Sequence, residues 1–287
     1  MIKNKLYELL PLFAEHLKNK GRSLATIFAY KADIEQLIEY LNKNAKTTPT
    51  QVTKEDIDNF RDTLLRRKYV PKSVSRKLNA IKTFFKWLLD NKYITKNVSE
   101  YVEHPKVNVE KPKFMSPLEY RALRDASRDD ERTGGIIELI LQTGLRISEI
   151  SNLKCSNISD KEILIEAYAT QPSRKVPLNK RAKEAIERYK KVRPETKYPH
   201  FFVSKSGKPL AVRNIRASID RYMQKAEIQN FSVNDLRTTF IVENLKAGVD
   251  VILISQVSGH KRISTTEKYL EIIGIKDRGK KQELIEL

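Results

Sequence analysis

Apolar residues return at intervals of three and four through the first 88 positions, a period that suits packed helices and does not suit a sheet. Leu6, Leu9, Leu10, Phe13 and Leu17 line one face of a first helix that Gly21 ends. Ser23 can cap a second, with Ile27, Tyr30, Ile34, Leu37, Ile38 and Leu41 as its stripe, and the polar run 42–50 closes it. Thr53 and Asp56 have capping-box spacing ahead of Ile57, Phe60 and Leu64. Pro71 and Ser73 open a fourth helix whose inward face is Val74, Leu78, Ile81, Phe85 and Leu88. Four amphipathic helices with short connections make a small bundle over residues 1–104.

The pattern then breaks. Residues 105–115 contain Pro105 and Pro112 and no apolar period, so they read as an extended linker to a second domain, 116–287. There, residues 117–127 and 132–143 are expected as helices, the second stopped by Gly144. Ile163, Ile165 and Ala167 alternate with polar neighbours as a strand does, and Val176-Pro177-Leu178 can be the return strand. Phe201-Phe202-Val203, ahead of the turn residues Ser206-Gly207-Lys208-Pro209, suggests one more short strand. The rest is helical. The expected fold is therefore mainly α (α+β), a four-helix bundle followed by a mostly helical domain with a small antiparallel sheet.

Charge says what such a chain meets. Fifty-five Lys and Arg against 36 Asp and Glu leave +19, of which +8 falls in residues 1–104 and +11 in 105–287. Two basic halves suit a clamp that meets the phosphates of a nucleic acid from both sides, and Arg76, Lys77, Lys82 and Lys86 are candidates in the bundle. No apolar run approaches the roughly 18 residues of a membrane span. The start Met1-Ile2-Lys3-Asn4-Lys5 lacks the apolar core of a signal peptide, so a cytoplasmic chain is expected. Cys155, alone in the sequence, cannot form an internal disulfide or a thiolate zinc site and reads as a small buried residue.

Ser232 and Asp235 have capping-box spacing, which puts Arg237 in the first turn of a helix beside free backbone N–H groups, an anion site. The commoner fate of a single arginine is a surface ion pair. Arg146 follows Gly144, and Glu149 lies one turn on, across a short helix 147–153, where it can hold the guanidinium in a fixed pose. Gly248 and Gly259 bracket another helix and leave His260 just past its end. Ser264 and Glu267 form a further capping box, with Tyr269 inside the helix that follows. A tyrosine in such a place is usually a packed aromatic. Two cations, an imidazole and a phenol in this order instead suit the breaking of a phosphodiester through a covalent tyrosine.

Together these segments resemble the tyrosine recombinase (phage integrase) family, in its compact Xer-like form. The resemblance rests on Thr143-Gly144-Leu145-Arg146-Ile147-Ser148-Glu149-Ile150, on Asp235-Leu236-Arg237-Thr238-Thr239-Phe240, and on Gly248, Gly259-His260 and Ser264-Thr265-Thr266 leading to Tyr269. It implies a bundle that binds the core DNA site, and a site-specific recombinase that cleaves and rejoins strands through a 3′-phosphotyrosine without ATP, metal or other cofactor. By the same resemblance Tyr269 is the nucleophile, Arg146 and Arg237 bind the nonbridging oxygens, and His260 donates a hydrogen bond. The implied partners are double-stranded DNA with paired sites and three further copies of the chain, with residues 270–287 exchanged between protomers; no membrane or small-molecule substrate is implied. Two positions depart from the family. Asn234 stands where a histidine is usual, and it cannot take the phenol's proton at neutral pH. The lysine that protonates the leaving oxygen would fall near Ala169, and Lys175 is the nearest substitute. A topoisomerase IB-like enzyme that nicks and reseals one duplex, and a non-catalytic DNA-binding or architectural protein, are the competing readings.

Overall fold

The computed structural model describes residues 4–107, 111–168 and 171–287. The chain forms two compact units, Met1–Val109 and Glu110–Leu287.

The first unit is built from α1 (Leu6–Asn19), α2 (Leu24–Lys43), α3 (Lys54–Arg66) and α4 (Pro71–Asp90). Their starts follow local chemistry. Ser23 Oγ accepts the Thr26 N–H at 3.2 Å, and Thr53 and Asp56 cap each other reciprocally at 3.3 and 2.8 Å. Pro71 supplies the preset φ at the first position of α4. The apolar stripes meet in one core in which Phe84 stacks on Trp87 and Phe13 meets the Phe84 ring edge-on. Among the described residues one charged group lies inside it. Asp33 of α2 is 1% exposed and is neutralised by Arg76 and Lys77 of α4. Those two cations, expected to reach phosphates, are therefore engaged with a buried carboxylate, whereas Lys86 is exposed.

The second unit holds α5 (Pro117–Ala126), α6 (Glu131–Thr143), α7 (Ile147–Asn152), β1 (Glu162–Ile165), β2 (Arg174–Pro177), α8 (Lys180–Val192), α9 (Val212–Lys225), α10 (Val233–Lys246), α11 (Val251–Ser258) and α12 (Ser264–Ile273). Helix α6 is buried along nearly its whole length, with α8 and α10 packed on it. It ends at Gly144 with φ +63°, where a side chain would run into the Phe240 ring of α10. Glycine is thus required twice over, by conformation and by space. The two strands are antiparallel with Ile163 opposite Val176 and Ile165 opposite Arg174.

Several expectations change. The stretch 105–115 is not linker throughout, since Met115 is buried in the second core and its N–H donates to Thr239 Oγ1 at 2.8 Å. Phe201-Phe202-Val203 is not a strand. Its aromatics instead pack on Tyr189, the Phe202 ring stacked at 4.9 Å, and only Val203 makes a bridge, to Pro209. Cys155 is exposed rather than buried. Residues 270–287 pack on their own unit in this single chain. Lys281 bridges to Val249, Ile285 N–H donates to Asn244 Oδ1 at 3.0 Å, and Ile273, Ile275, Leu284 and Ile285 lie against the core. These four apolar residues of the segment expected to be exchanged are thus covered within the chain itself. No helix among the described residues is long and apolar enough to cross a membrane.

Candidate active site

The last carbonyls of an α-helix have no partner within the helix and form the negative end of its dipole. At the end of α11 three arginines from three different elements take three such carbonyls in a row. Arg174 of β2 donates from Nε to Val257 O at 2.7 Å, Arg237 of α10 from Nη2 to Ser258 O at 2.6 Å, and Arg146, ahead of α7, from Nη2 to Gly259 O at 2.8 Å. Arg237 Nη1 also donates to Gly144 O, at the end of α6. Arg237 was expected at a helix N-terminus, among free N–H groups. It lies instead one turn into α10, with its guanidinium against two helix C-termini, which attract a cation for the opposite reason.

Three like charges need a counter-charge, and Glu149 supplies it. Its carboxylate accepts from Arg146 N at 2.8 Å and Nη1 at 2.9 Å, and from Arg174 Nη1 at 2.7 Å and Nη2 at 2.8 Å. Burial pushes this carboxyl group's pKa up, but the hydrogen bonds and charge of Arg174, with those of Arg146, outweigh it and hold the pKa below the usual range. Burial, reinforced by the charge of Arg146, pulls the Arg237 pKa down to about 9, which still leaves a cation at neutral pH.

His260 follows Gly259, which turns the chain at φ +64°. Its Nδ1 lies 2.8 Å from Thr266 Oγ1, a hydroxyl with no exposure. Burial, then the charges of Arg237, Arg146 and Arg174, drive its pKa down to about 4, so the ring is neutral at pH 7. The Tyr269 ring on α12 is half-buried and lies parallel to it, 6° between planes and 6.4 Å between centroids. Tyr269 also acts electrostatically on Arg237.

Arg146, Arg237, His260 and Tyr269 are thus brought together. Asn234 lies exposed on α10 one turn before Arg237, on the same side of the helix; it is not the cap, which is Ser232. Lys175 is not brought in. Strand alternation turns it outward, 69% exposed and paired with Glu162 at 2.6 Å, while its neighbour Arg174 faces the cluster. Arg174 is the residue the sequence reading missed. The signal was present, because Val176 is apolar and a residue two positions away shares its face. Ala169, the position counted for the family's lysine, lies outside the described residues.

Fixed guanidiniums beside a neutral imidazole and a phenol, on a helical unit that follows a second basic one, define an enzyme that works on phosphodiesters. The comparisons agree. The model of the phage integrase family matches residues 113–273, and that of its N-terminal SAM-like domain matches residues 10–92. The tyrosine recombinase XerC of Anoxybacillus flavithermus is 30% identical over 278 residues, covering 92% of each chain. XerD of Chlamydia pneumoniae is 28% identical over 270 residues, covering 88% of this chain and 87% of its own. Among solved structures, XerA recombinase superposes with a TM-score of 0.53 at 25% identity, covering 91% of this chain and 93% of its own. A lambda integrase dimer on a core site gives 0.74 at 18% identity, with 91% and 97% covered, a likeness of fold. The chain belongs to the phage integrase family and is a site-specific tyrosine recombinase.

Proposed function

We propose that Tyr269 attacks a DNA phosphate and carries the 3′ end as a phosphotyrosine while the strands of two sites are exchanged. The bond from phosphorus to the 5′ oxygen breaks as the bond to Tyr269 Oη forms. The phenol loses a proton and the 5′ oxygen gains one. In strand transfer the 5′-hydroxyl of a partner strand attacks the phosphotyrosine and frees the phenol, so the bond energy is retained and no nucleotide is consumed.

Arg146 and Arg237 each commit two N–H groups to the protein, and the rest can serve the nonbridging oxygens. They are prepositioned where charge accumulates in the pentacovalent transition state, and in comparable sites one such donor contributes about 100- to 1,000-fold in rate. His260, neutral and held at Nδ1 by Thr266, has Nε2 left for the same phosphate. Asn234 can orient the phenol but cannot accept its proton. The observation that carries this reading is the row of three arginines on consecutive carbonyls of one helix end, immediately followed by His260 and faced by Tyr269.

The substrate in this reading is double-stranded DNA with paired sites, contacted by both basic units, the first acting as the core-binding unit. The active assembly is a tetramer, the form in which lambda integrase has been solved on a Holliday junction. Residues 270–287 release their own unit and dock on a neighbour in that assembly. The enzyme works in the cytoplasm, on nucleoid DNA. The test is a plasmid carrying two cognate sites beside a plasmid carrying one. Recombinant circles from the first alone are expected, and relaxation of the single-site plasmid at equal rate without recombinants would overturn the reading in favour of a nicking and resealing enzyme.

A further inference from the structure

We propose that Arg174 is a positioning residue for strand cleavage: it fixes Glu149 and the end of α11, so that Arg146 presents its free N–H groups to the phosphate instead of to the carboxylate. The proposal rests on reading Arg146 as a phosphate ligand.

Arg174 is only 10% exposed, although it belongs to a four-residue strand whose next residue is 69% exposed. Every one of its three nitrogens already donates to the protein, Nε to Val257 O and both Nη atoms to Glu149. That distinguishes it from Arg237, whose guanidinium donates, among the described residues, to the helix-end carbonyls of Gly144 and Ser258 and can turn remaining donors outward. Arg174 is built to hold something, and what it holds is the carboxylate that orients Arg146.

The geometry shows what its loss would do. Glu149 Oε2 is shared by Arg174 Nη2 and the Arg146 backbone N–H, and Oε1 by Arg174 Nη1 and Arg146 Nη1. With both oxygens occupied by the Arg174 fork, Arg146 reaches the carboxylate through one nitrogen and sends the other to Gly259 O. Bidentate pairing is the preferred geometry of a free guanidinium and carboxylate. Without Arg174, Arg146 is free to close its own fork on Glu149 and turn away from the phosphate. Gly259 carries the same message, because a Cβ there would lie 2.9 Å from both Cζ and Nη1 of Arg174. The guanidinium lies flat against that glycine, and a side chain would displace it.

The test compares wild type, Arg174→Lys and Glu149→Gln in single-turnover formation of covalent adduct on a nicked suicide substrate, with DNA binding and melting measured on the same preparations. Lysine keeps the charge but cannot bridge both carboxylate oxygens and Val257 O together. Arg174→Lys is expected to bind DNA within about threefold of wild type and to form adduct on the order of 100-fold more slowly, the loss of a transition-state donor. The variant carrying both Arg174→Lys and Glu149→Gln, measured alongside, is expected to be no slower than the worse single variant, since both act through Arg146. Adduct formation by Arg174→Lys within threefold of wild type, rate losses that multiply in the double variant, or a slow rate accounted for by weaker binding or melting would overturn the proposal. A wild type that forms no adduct, or Tyr269→Phe that still does, overturns the catalytic reading and this proposal with it; a normal wild type with an unimpaired Arg174→Lys overturns this proposal alone.

Discussion

Replacing Gly259 by alanine separates backbone strain from damage to the arginine cluster, because a second glycine supplies the control. Gly259 has φ +64° and Gly248 φ +76°, so an alanine at either position incurs the left-handed penalty of about 1–2 kcal/mol. For a unit of this size that corresponds to a fall in Tm of roughly 2–8 °C. The surroundings differ. Around Gly248 a Cβ would meet nothing within 4 Å, whereas at Gly259 it would stand 2.9 Å from Arg174 Cζ and Nη1. Ordinary carbon contacts begin near 3.5 Å, so the guanidinium must withdraw by roughly 0.5–1 Å. Its bonds to Glu149, now 2.7 and 2.8 Å, would stretch to the edge of hydrogen bonding. Displacement of that order in a supporting group costs up to about 100-fold in rate. Melting by calorimetry and adduct formation on a nicked substrate should therefore dissociate: both variants melt earlier, and only Gly259→Ala cleaves slowly. Equal melting with wild-type cleavage by both would refute the reasoning.

Arg237→Ala should abolish detectable adduct while leaving electrophoretic binding of the DNA site within about tenfold, since it removes a transition-state donor and not the basic surface. The His260 pKa in the folded chain, about 4, lies below its ordinary 6.5, so the unfolded chain takes up the proton first as pH falls. The stability held by the neutral imidazole is complete above about pH 6.5 and is lost as pH falls through about 4. Denaturation midpoints should show that loss in wild type and less of it in His260→Gln. Truncation after Gly274 uncovers the apolar surface that Leu284 and Ile285 cover, and should lower the Tm of the second unit and abolish recombination; a truncated chain recombining at full rate would contradict the proposed exchange.

The four bundle helices and most of the second unit were legible because their apolar residues repeat with the helical period and their caps are local. Gly144 and Gly259 were legible as stops, but not as points of close approach to Phe240 and Arg174, which only tertiary packing reveals. Phe201 and Phe202 misled because a short apolar run suits a strand and a core-filling loop equally. Asp33 gave no sign that it would claim Arg76 and Lys77, since those partners come from another helix. In the site, motif order marked Arg146, Arg237, His260 and Tyr269. Arg174 was less legible, because a charged residue in a short strand ordinarily faces solvent and only its two-residue spacing from Val176 marks it as inward-facing. The exchange of residues 270–287 is an implication of the resemblance, and apolar residues such as Leu284 and Ile285 suit the chain's own core as well as a neighbour's groove.

The central claim is that Tyr269 becomes covalently joined to the 3′ side of a cleaved strand. Trapping the protein on a nicked cognate substrate, digesting it and sequencing the DNA-bearing peptide by mass spectrometry tests this most directly. The account predicts a nucleotide 3′-phosphate on Tyr269 in the segment Glu267-Lys268-Tyr269-Leu270, and no adduct from Tyr269→Phe. Linkage to any other residue, or an adduct that survives in Tyr269→Phe, would contradict it.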